Sequence, residues 1–296
     1  MKRVSLVLFG ACLNLIAASL QAADVIRVNS MNYPAWLVRE HQTMALRPGD
    51  ELQASDLIRT GEGGRVLLQM ADGSAVKLGE GARFLIEESE LKQESDLGVL
   101  ESTFQVLRGA FRFTSAFFKS PTARHRLDVN IGVITAGIRG TDIWGRSNPE
   151  HDLVCLIEGA IAVDTAGEAR IEMNEPLSFY VKPKNQSPLP VGPVDADKLN
   201  EWAGQTELDA GRGIAAYDGR WNLVLYSLSN KIRADEIQRE FRARGFAVKS
   251  VEYLHQGRDL LRIVLPGFVS REAAIGARSM VEEQLGIDDA WPWKSG

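Results

Sequence analysis

Trp221-Asn-Leu-Val-Leu-Tyr-Ser227 decides the fold of the C-terminal region, because its apolar, aromatic and β-branched side chains are typical of a buried β-strand. A helix is predicted directly after it, and Gly245 stands where a helix C-cap is expected. The apolar residues of this helix recur at near-helical spacing and are Ala234, Ile237 and Phe241. The region therefore opens with a β-α unit.

A second half with the same kinds of element follows. Residues 247–254 and 260–265 predict two more strands, and Ser270 is suited to cap the start of a second helix. That helix ends before Gly286, and its apolar face consists of Ala274, Ala277, Val281 and Leu285. Trp291-Pro-Trp-Lys294 then predicts a last strand. The order β-α-β-β-α-β indicates an α+β domain whose four-stranded sheet carries both helices on one face.

The other face of this sheet is free of helices, and strand alternation predicts its residues. If Leu223 and Leu225 point to the helices, the residues between them point away. The residues placed on the free face in this way are Asn222, Val224, Tyr226, Arg262 and Val264. A face with aromatic rings and an arginine suits sugars, because sugar C–H groups pack on rings and a guanidinium donates to sugar oxygens.

This pattern resembles the SPOR domain, a bacterial cell-envelope module that binds peptidoglycan glycan strands on its free sheet face. The resemblance covers residues 221–296, and Val224 departs from it because many members have glutamine there. The usual Gly-Pro after the third strand is also reversed, as Pro266-Gly267. The glycan-binding residues predicted from the resemblance and the face together are Ser227, Tyr253, Arg262, Val264, Val224 and Tyr226.

The N-terminus predicts a secretory signal peptide over residues 1–22. Lys2 and Arg3 form a positive region, Val4–Leu20 is apolar, and Ala22 is a small residue suited to precede cleavage. The alternative is an uncleaved anchor, for which the apolar run is short. We expect an exported protein of the periplasm or cell envelope, with no membrane span after cleavage.

Composition argues against nucleic acid as a partner. The 296 residues carry 34 Lys and Arg against 39 Asp and Glu, a formal net charge of −5, whereas nucleic-acid binding needs a basic footprint. After signal cleavage a single cysteine, Cys155, is left, so neither an internal disulfide nor a thiolate metal cluster is expected. Its apolar neighbours predict a buried side chain rather than a reactive thiol.

Residues 23–181 predict an all-β domain, sandwich-like or barrel-like, because short alternating segments are separated by Gly and Asp. The clearest hairpin joins Val66–Met70 to Ala75–Leu78 across Ala71-Asp-Gly-Ser74. The polar and acidic residues 87–102 predict a long loop or a short helix.

Six short motifs follow one another between about residues 45 and 165: Gly49-Asp50, Ile58-Arg-Thr-Gly61, Ala71-Asp-Gly-Ser74, Leu107-Arg-Gly109, Ile138-Arg-Gly-Thr141 and Glu158-Gly159. The series resembles the FecR domain, a periplasmic β module of bacterial iron-uptake signalling proteins and of stand-alone envelope proteins. Its most specific element contains Arg139, Gly140 and Thr141. Arg139 suits a carboxylate ligand. The simpler interpretation is structural, with Gly140 allowing an unusual backbone angle and Arg139 pairing with an acid to fix a corner.

Residues 182–220 separate the two predicted domains. Their Pro-rich start and their glycines predict a semi-rigid linker, and Leu199 and Trp202 indicate a short helix within it. We therefore expect four segments: a signal peptide at 1–22, a FecR-like domain at 23–181, a linker at 182–220 and a SPOR-like domain at 221–296.

The sequence holds no recognisable catalytic constellation. The four histidines are scattered, and phosphate-loop, dinucleotide and nucleophile-elbow motifs are absent. Glu87, Glu88 and Glu90 raise the alternative of a cell-wall hydrolase, but such enzymes need two carboxylates on opposite sides of a sugar. We expect a solvated acidic surface, no catalytic residues, no metal and no cofactor.

The sequence as a whole predicts a non-catalytic envelope protein that binds peptidoglycan glycan strands through its SPOR-like domain. The FecR-like domain is expected to contact a periplasmic protein partner. The alternative is a signalling or scaffold protein that acts through FecR-domain contacts without glycan binding. Whether the role lies in cell division or in signalling stays open at this point.

Overall fold

The computed structural model describes residues 26–94, 97–116, 124–138 and 140–295. The predicted signal peptide and Arg139 lie outside the described residues. The N-terminal part consists largely of strands: β1 (Ile26–Asn32), β2 (Ala35–Arg39), β3 (Gln42–Ala45), β4 (Glu51–Leu52), β5 (Leu57–Thr60), β6 (Arg65–Gln69), β7 (Ala75–Leu78), β8 (Arg83–Glu94), β9 (Leu97–Thr114), β10 (Arg124–Ile131), β11 (Ile134–Ile138), β12 (Asp142–Ser147), β13 (His151–Glu158), β14 (Ile161–Thr165), β15 (Ile171–Met173) and β16 (Ser178–Pro183).

These strands form two sheets that share β9. One sheet has the order β3-β2-β5-β8-β9-β10-β11-β14-β15, and the other has the order β16-β13-β12-β9-β7-β6-β1. The strand passes between them at Gly109, whose φ is 88° and whose added Cβ would lie 2.6 Å from Ala82 Cα. Apolar side chains of both sheets form a common core, which confirms the predicted all-β domain.

The turn residues of the β domain predicted a hairpin correctly, whereas the polar residues at 87–102 led to a wrong prediction. The hairpin at 66–78 is present, and the Asp72 carboxylate accepts a 2.8 Å hydrogen bond from Ser74 N. The prediction of a loop or helix at 87–102 is wrong for the described residues, because they continue β8 and β9. Glu88 lies opposite Thr103 and Ser89 opposite Ser102, so ladder hydrogen bonds to both neighbours satisfy a polar backbone stretch.

The C-terminal part follows a connecting segment that contains β17 (Gly192–Pro193), helix α1 (Ala196–Gly204), a 3-10 turn (Ala210–Arg212) and β18 (Ala215–Ala216). Its elements are β19 (Trp221–Leu228), helix α2 (Lys231–Ala243), β20 (Lys249–His255), β21 (Arg258–Phe268), helix α3 (Arg271–Leu285) and β22 (Trp291–Lys294). The strands have the order β20-β21-β19-β22, and both helices contact one face. The predicted β-α-β-β-α-β fold is confirmed.

Both helices of this part have a capping residue at the N-terminus, and the predicted cap at Ser270 is confirmed. Asn230 and Ser270 accept hydrogen bonds from the backbone N–H groups three residues further on. Gly286 ends α3 in the left-handed conformation, with a φ of 72°. The apolar faces of α2 and α3 are buried against the sheet and belong to the main core.

The two parts of the chain are packed into one unit. Ala215 of β18 pairs with Met31 of β1 on one side and with Phe268 of β21 on the other. Tyr33 is fully buried between them, and its ring centroid lies 6.2 Å from that of Phe246. Aromatic residues from both parts thus share a single hydrophobic core.

The connecting segment packs against the β domain. Helix α1 places Trp202, which is 4% exposed, in a parallel stack on Trp144 of β12, with ring centroids 5.0 Å apart. Asp195 caps the helix by accepting from Lys198 N. The domain boundary at 182–220 stays a prediction, but a large part of this segment is held by an apolar contact rather than being extended in solvent.

Candidate functional site

A β-bulge in β19 sets which side chains reach the free face of the C-terminal sheet. Val224 pairs with Val264, but the next pairs are Tyr226 with Ile263 and Ser227 with Arg262. Leu225 is therefore the extra residue. One inserted residue reverses the direction of every side chain after it, so the bulge turns Ser227 to the free face and Tyr226 to the helices.

Tyr226 is accordingly not a residue of the free face, and its predicted placement there is wrong. Its ring stacks on Phe241 of α2, with centroids 6.3 Å apart and planes 25° apart. The prediction assumed that side chains alternate without interruption along β19, which places Tyr226 on the free face. The bulge at Leu225 interrupts this alternation.

Val224 and Val264 lie in register with each other on the side away from the helices, as predicted, but both have 0% exposure. The register places Trp291 beside Val224 and Lys249 beside Val264. A side chain without exposed surface cannot contact a ligand. The prediction that these two valines contact glycan is therefore wrong.

The remaining predicted residues come together around Arg262. Its guanidinium carbon lies 3.9 Å from the centroid of the Tyr253 ring and 5.2 Å from that of the Trp293 ring. Both distances are within the range of cation–π attraction. The exposed Ser227 pairs with Arg262 across the strands. Arg262, Tyr253, Ser227 and Trp293 are called the arginine–aromatic cluster below.

Trp293 was missing from the predicted site, and its position follows from β22. The register pairs Trp293 with Asn222, one residue away from the pair of Pro292 with Leu223 on the helix side. The Asn222 side-chain amide donates to Trp293 O at 3.2 Å and to Ser295 Oγ at 3.1 Å, which holds the end of β22 in place. Side chains alternate along β22, so Pro292 on the helix side places Trp293 on the free face. This rule would have identified Trp293 from the sequence.

The Arg262 guanidinium has no acidic partner among the described residues. It forms no ion pair and donates no hydrogen bond there, and its Nε is buried without an acceptor. Two rings fix the direction of the guanidinium plane while leaving its N–H groups for an external acceptor. The cluster is therefore arranged to donate hydrogen bonds to oxygen atoms of a ligand.

The Ile138–Thr141 motif of the β domain lies beside an ion pair that joins β9 and β12. Gly140 has a φ of 67°, Thr141 is fully buried, and Arg139 lies outside the described residues. Arg112 donates to both carboxylate oxygens of Asp142, at 2.9 and 2.7 Å. These hydrogen bonds raise the pKa of Arg112, and they fix β12 against β9.

The groups considered for catalysis do not assemble into a reactive site in the described residues. Glu87 and Glu88 are exposed, and the side chain of Glu90 lies outside the description. Cys155 is fully buried, and burial raises its pKa to about 12, so its thiolate is not formed near neutral pH. The described residues contain no group of three or more His, Cys, Asp or Glu side chains that could hold a metal ion.

Comparisons with known proteins agree with this architecture. The family model of the FecR protein matches residues 56–162, and that of the SPOR domain matches residues 217–291. The comparison with curated proteins gave no match. Two crystal structures of a "putative anti-sigma factor" from Parabacteroides distasonis are similar at 13% and 14% identity, with TM-scores of 0.37 and 0.39. The matches cover 69% and 81% of this chain and 97% and 99% of those chains.

FecR and SPOR domains are typical of bacterial periplasmic and envelope proteins. The chain contains a FecR domain followed by a SPOR domain. Both are domain families of non-catalytic kinds, and a SPOR domain indicates peptidoglycan binding. Among the described residues, the helices are too short or too polar to span a membrane.

Proposed function

We propose that the protein is a non-catalytic, exported envelope protein that binds peptidoglycan glycan strands through the arginine–aromatic cluster of its SPOR domain. In this proposal the FecR domain is presented to a periplasmic protein partner. Export is supported by the signal-like sequence at 1–22, and the domain boundaries are those predicted above.

The observation that carries the proposal is the unpaired guanidinium of Arg262 held between two rings. A glycan strand offers hydroxyl and acetamide oxygens as acceptors and apolar C–H faces between them. Arg262 supplies donors for the first and Tyr253 and Trp293 supply planes for the second. A near-neutral domain, with eleven Lys and Arg against ten Asp and Glu in residues 221–294, suits such an uncharged polymer.

The arginine–aromatic cluster also lies outside the interface between the two domains. The hydrogen bonds and ring contacts that join the β domain to the SPOR domain include those of Tyr33, Ala35 and Trp36, and a bond from Gln284 Nε2 to Glu62 O. Among the described residues, no such contact is made by Tyr253, Arg262 or Trp293. A long strand of sugar can therefore lie along this face while the FecR domain stays packed on the other end of the sheet.

The test is co-sedimentation of the full-length protein with purified sacculi. Arg262→Ala removes the donors, and a lost hydrogen bond to a charged group costs about 1.5–3 kcal/mol, so binding should weaken by roughly tenfold or more. Arg271→Ala is the matched control, because Arg271 is exposed on α3, on the helix side.

Equal binding by wild type and Arg262→Ala, with both folded, would show that the glycan does not use this face. Absence of binding by the wild type would remove the glycan proposal altogether. Release of soluble sugar fragments from the sacculi during the assay would contradict the non-catalytic part.

The scaffold alternative is favoured by one observation, the burial of Val224 and Val264. Because both side chains have 0% exposure, only the arginine–aromatic cluster remains as contact surface on the free face, and a polymer can contact a smaller area there. In that case the FecR domain alone would make the biological contact, and sacculus binding would be absent while a protein partner still binds.

A further inference from the structure

A cleft of about 420 Å³ lies where the two domains meet, away from the arginine–aromatic cluster. One wall comes from β3 and the turn after it, with Met44, Arg47 and Asp50. The other wall is the last part of α2, with Arg239, Arg242 and Ala243. Its size is within the usual range for small-molecule sites, and both domains contribute to its lining.

The charge of this cleft is strongly positive. Three arginines and one aspartate line it, which gives a formal charge of three minus one, or +2. Arg39 and Arg112 are bound to acids, but Arg47, Arg239 and Arg242 form no ion pair within the described residues. Within the described part of the chain, these three guanidinium groups therefore have no ion-pair partner and can take one from a ligand.

The groups of the cleft are also partly fixed in place. Arg242 donates from Nε to Val248 O at 2.9 Å and from Nη2 to Gln238 Oε1 at 3.1 Å. The carboxylate of Asp50 accepts from Arg47 N at 2.8 Å, so it is already engaged by the turn that presents Arg47. Burial and then the nearby charge of Arg47 lower the pKa of Arg242, so the two cations repel each other across the cleft.

We propose that this cleft binds a small doubly charged oxyanion, namely a dicarboxylate or a phosphate monoester. A guanidinium group can bind a pair of oxygen atoms of either a carboxylate or a phosphate in a bidentate manner, and two negative charges balance the +2 of the lining. Met44, which is 41% exposed, and Ala243 provide apolar surface for the carbon part of such a ligand.

A ligand in this position would join the two domains. It would bridge Arg47 of the FecR side and Arg239 and Arg242 of the SPOR side, next to the shared core at Tyr33 and Phe246. Ligand that binds the folded protein raises its stability, so unfolding of the full chain should shift to higher temperature as the anion is added.

The experiment is calorimetric titration of the full-length protein with inorganic phosphate in one arm and succinate in the other, in Tris chloride of low ionic strength. We expect saturable binding at one site, weakened roughly tenfold by Arg239→Ala and by Arg47→Ala, because each removes a charged donor. Both side chains are exposed and donate no hydrogen bond among the described residues, so the variants should fold.

Arg233→Ala is the matched control, since Arg233 lies on the same helix but pairs with Glu236 outside the cleft. Its anion binding should stay within about twofold of wild type. Binding in the phosphate arm alone assigns the phosphoryl class, and binding in the succinate arm alone assigns the carboxylate class. Arg262→Ala should bind the anion normally, which separates this site from the glycan face.

Two results would overturn the proposal. One is the absence of saturable binding of both anions by the wild type. The other is equal weakening by Arg233→Ala and Arg239→Ala, which would mean that the anions respond to net charge rather than to the cleft.

Discussion

Arg112 and Arg262 occupy similar places, each on a sheet strand, yet their surroundings are opposite. Arg112 donates to both oxygens of Asp142, and Glu207 of the connecting segment lies 3.5 Å from it. Arg262 is held by the rings of Tyr253 and Trp293 and has no acid among the described residues. The first arginine is fully paired within the protein, and the second is oriented but unpaired.

This difference separates a structural arginine from one that is available to a ligand. Bidentate pairing uses the donors of Arg112 to tie β9 to β12, so its loss should affect folding. Ring contacts leave the donors of Arg262 unused, so its loss should affect binding. In the proposed function, the FecR and SPOR domains use the same residue type in different roles, and substitutions at Arg112, Arg262, Tyr253 and Glu207 test this distinction.

The largest effect is expected for Arg112→Ala. The Asp142 side chain is 11% exposed, and without its partner this carboxylate stays buried and uncompensated. We expect a loss of about 3 kcal/mol in the free energy of unfolding, measured by urea denaturation. Arg262→Ala is the comparison and should lose no more than about 1 kcal/mol, because it removes only ring contacts at a partly exposed site. Similar losses for the two variants would break the distinction.

Tyr253→Ala should have an intermediate effect, on binding rather than on stability. The Tyr253 ring lies 3.9 Å from the Arg262 guanidinium, which it orients, and offers a sugar an apolar plane; an aromatic contact of this kind is worth about 0.5–1 kcal/mol. Sacculus binding should fall by roughly twofold to fivefold. Tyr253→Phe keeps the ring and should bind as wild type does, whereas weak binding by the phenylalanine variant would point to the hydroxyl group instead.

Glu207→Gln should have the smallest effect. Glu207 is 46% exposed and contacts Lys77 at 2.6 Å as well as Arg112, so it forms a surface ion pair. We expect a loss of less than about 1 kcal/mol in the free energy of unfolding, and a still smaller loss at high salt. A loss as large as that of Arg112→Ala would show that the connecting segment, rather than Asp142, holds Arg112.

The order of elements in the SPOR domain was predictable because its signals are local. Apolar spacing, the caps at Asn230 and Ser270 and the glycine at 286 each act within a few residues. The bulge at Leu225 was not predictable in this way, since it depends on the register between β19 and β21. Tyr226 was misplaced for that reason.

The β domain shows the same limit. The polar stretch at 87–102 was expected to leave the sheet, but pairing of β9 with both β8 and β10 provides backbone partners that side-chain polarity does not reveal. The pair of Arg112 and Asp142 joins residues 30 positions apart, and the stack of Trp144 and Trp202 joins a strand to a distant helix. Such contacts follow from the topology of the whole domain.

The arginine cleft was invisible in the sequence for a related reason. Arg47 and Arg239 lie in different domains, and neither stands in a basic run. The packing of Tyr33 against Phe246 and Phe268 brings them to one place. The predicted semi-rigid linker between the domains gave no reason to expect a site that both domains share.

The most direct test of the central claim is calorimetric titration of glycan strands freed of peptide into full-length wild type and into Arg262→Ala. We expect saturable binding by the wild type and roughly tenfold weaker binding by Arg262→Ala, with a cooperative urea transition for both proteins. Equal affinity of the two folded proteins for the peptide-free strands would contradict it.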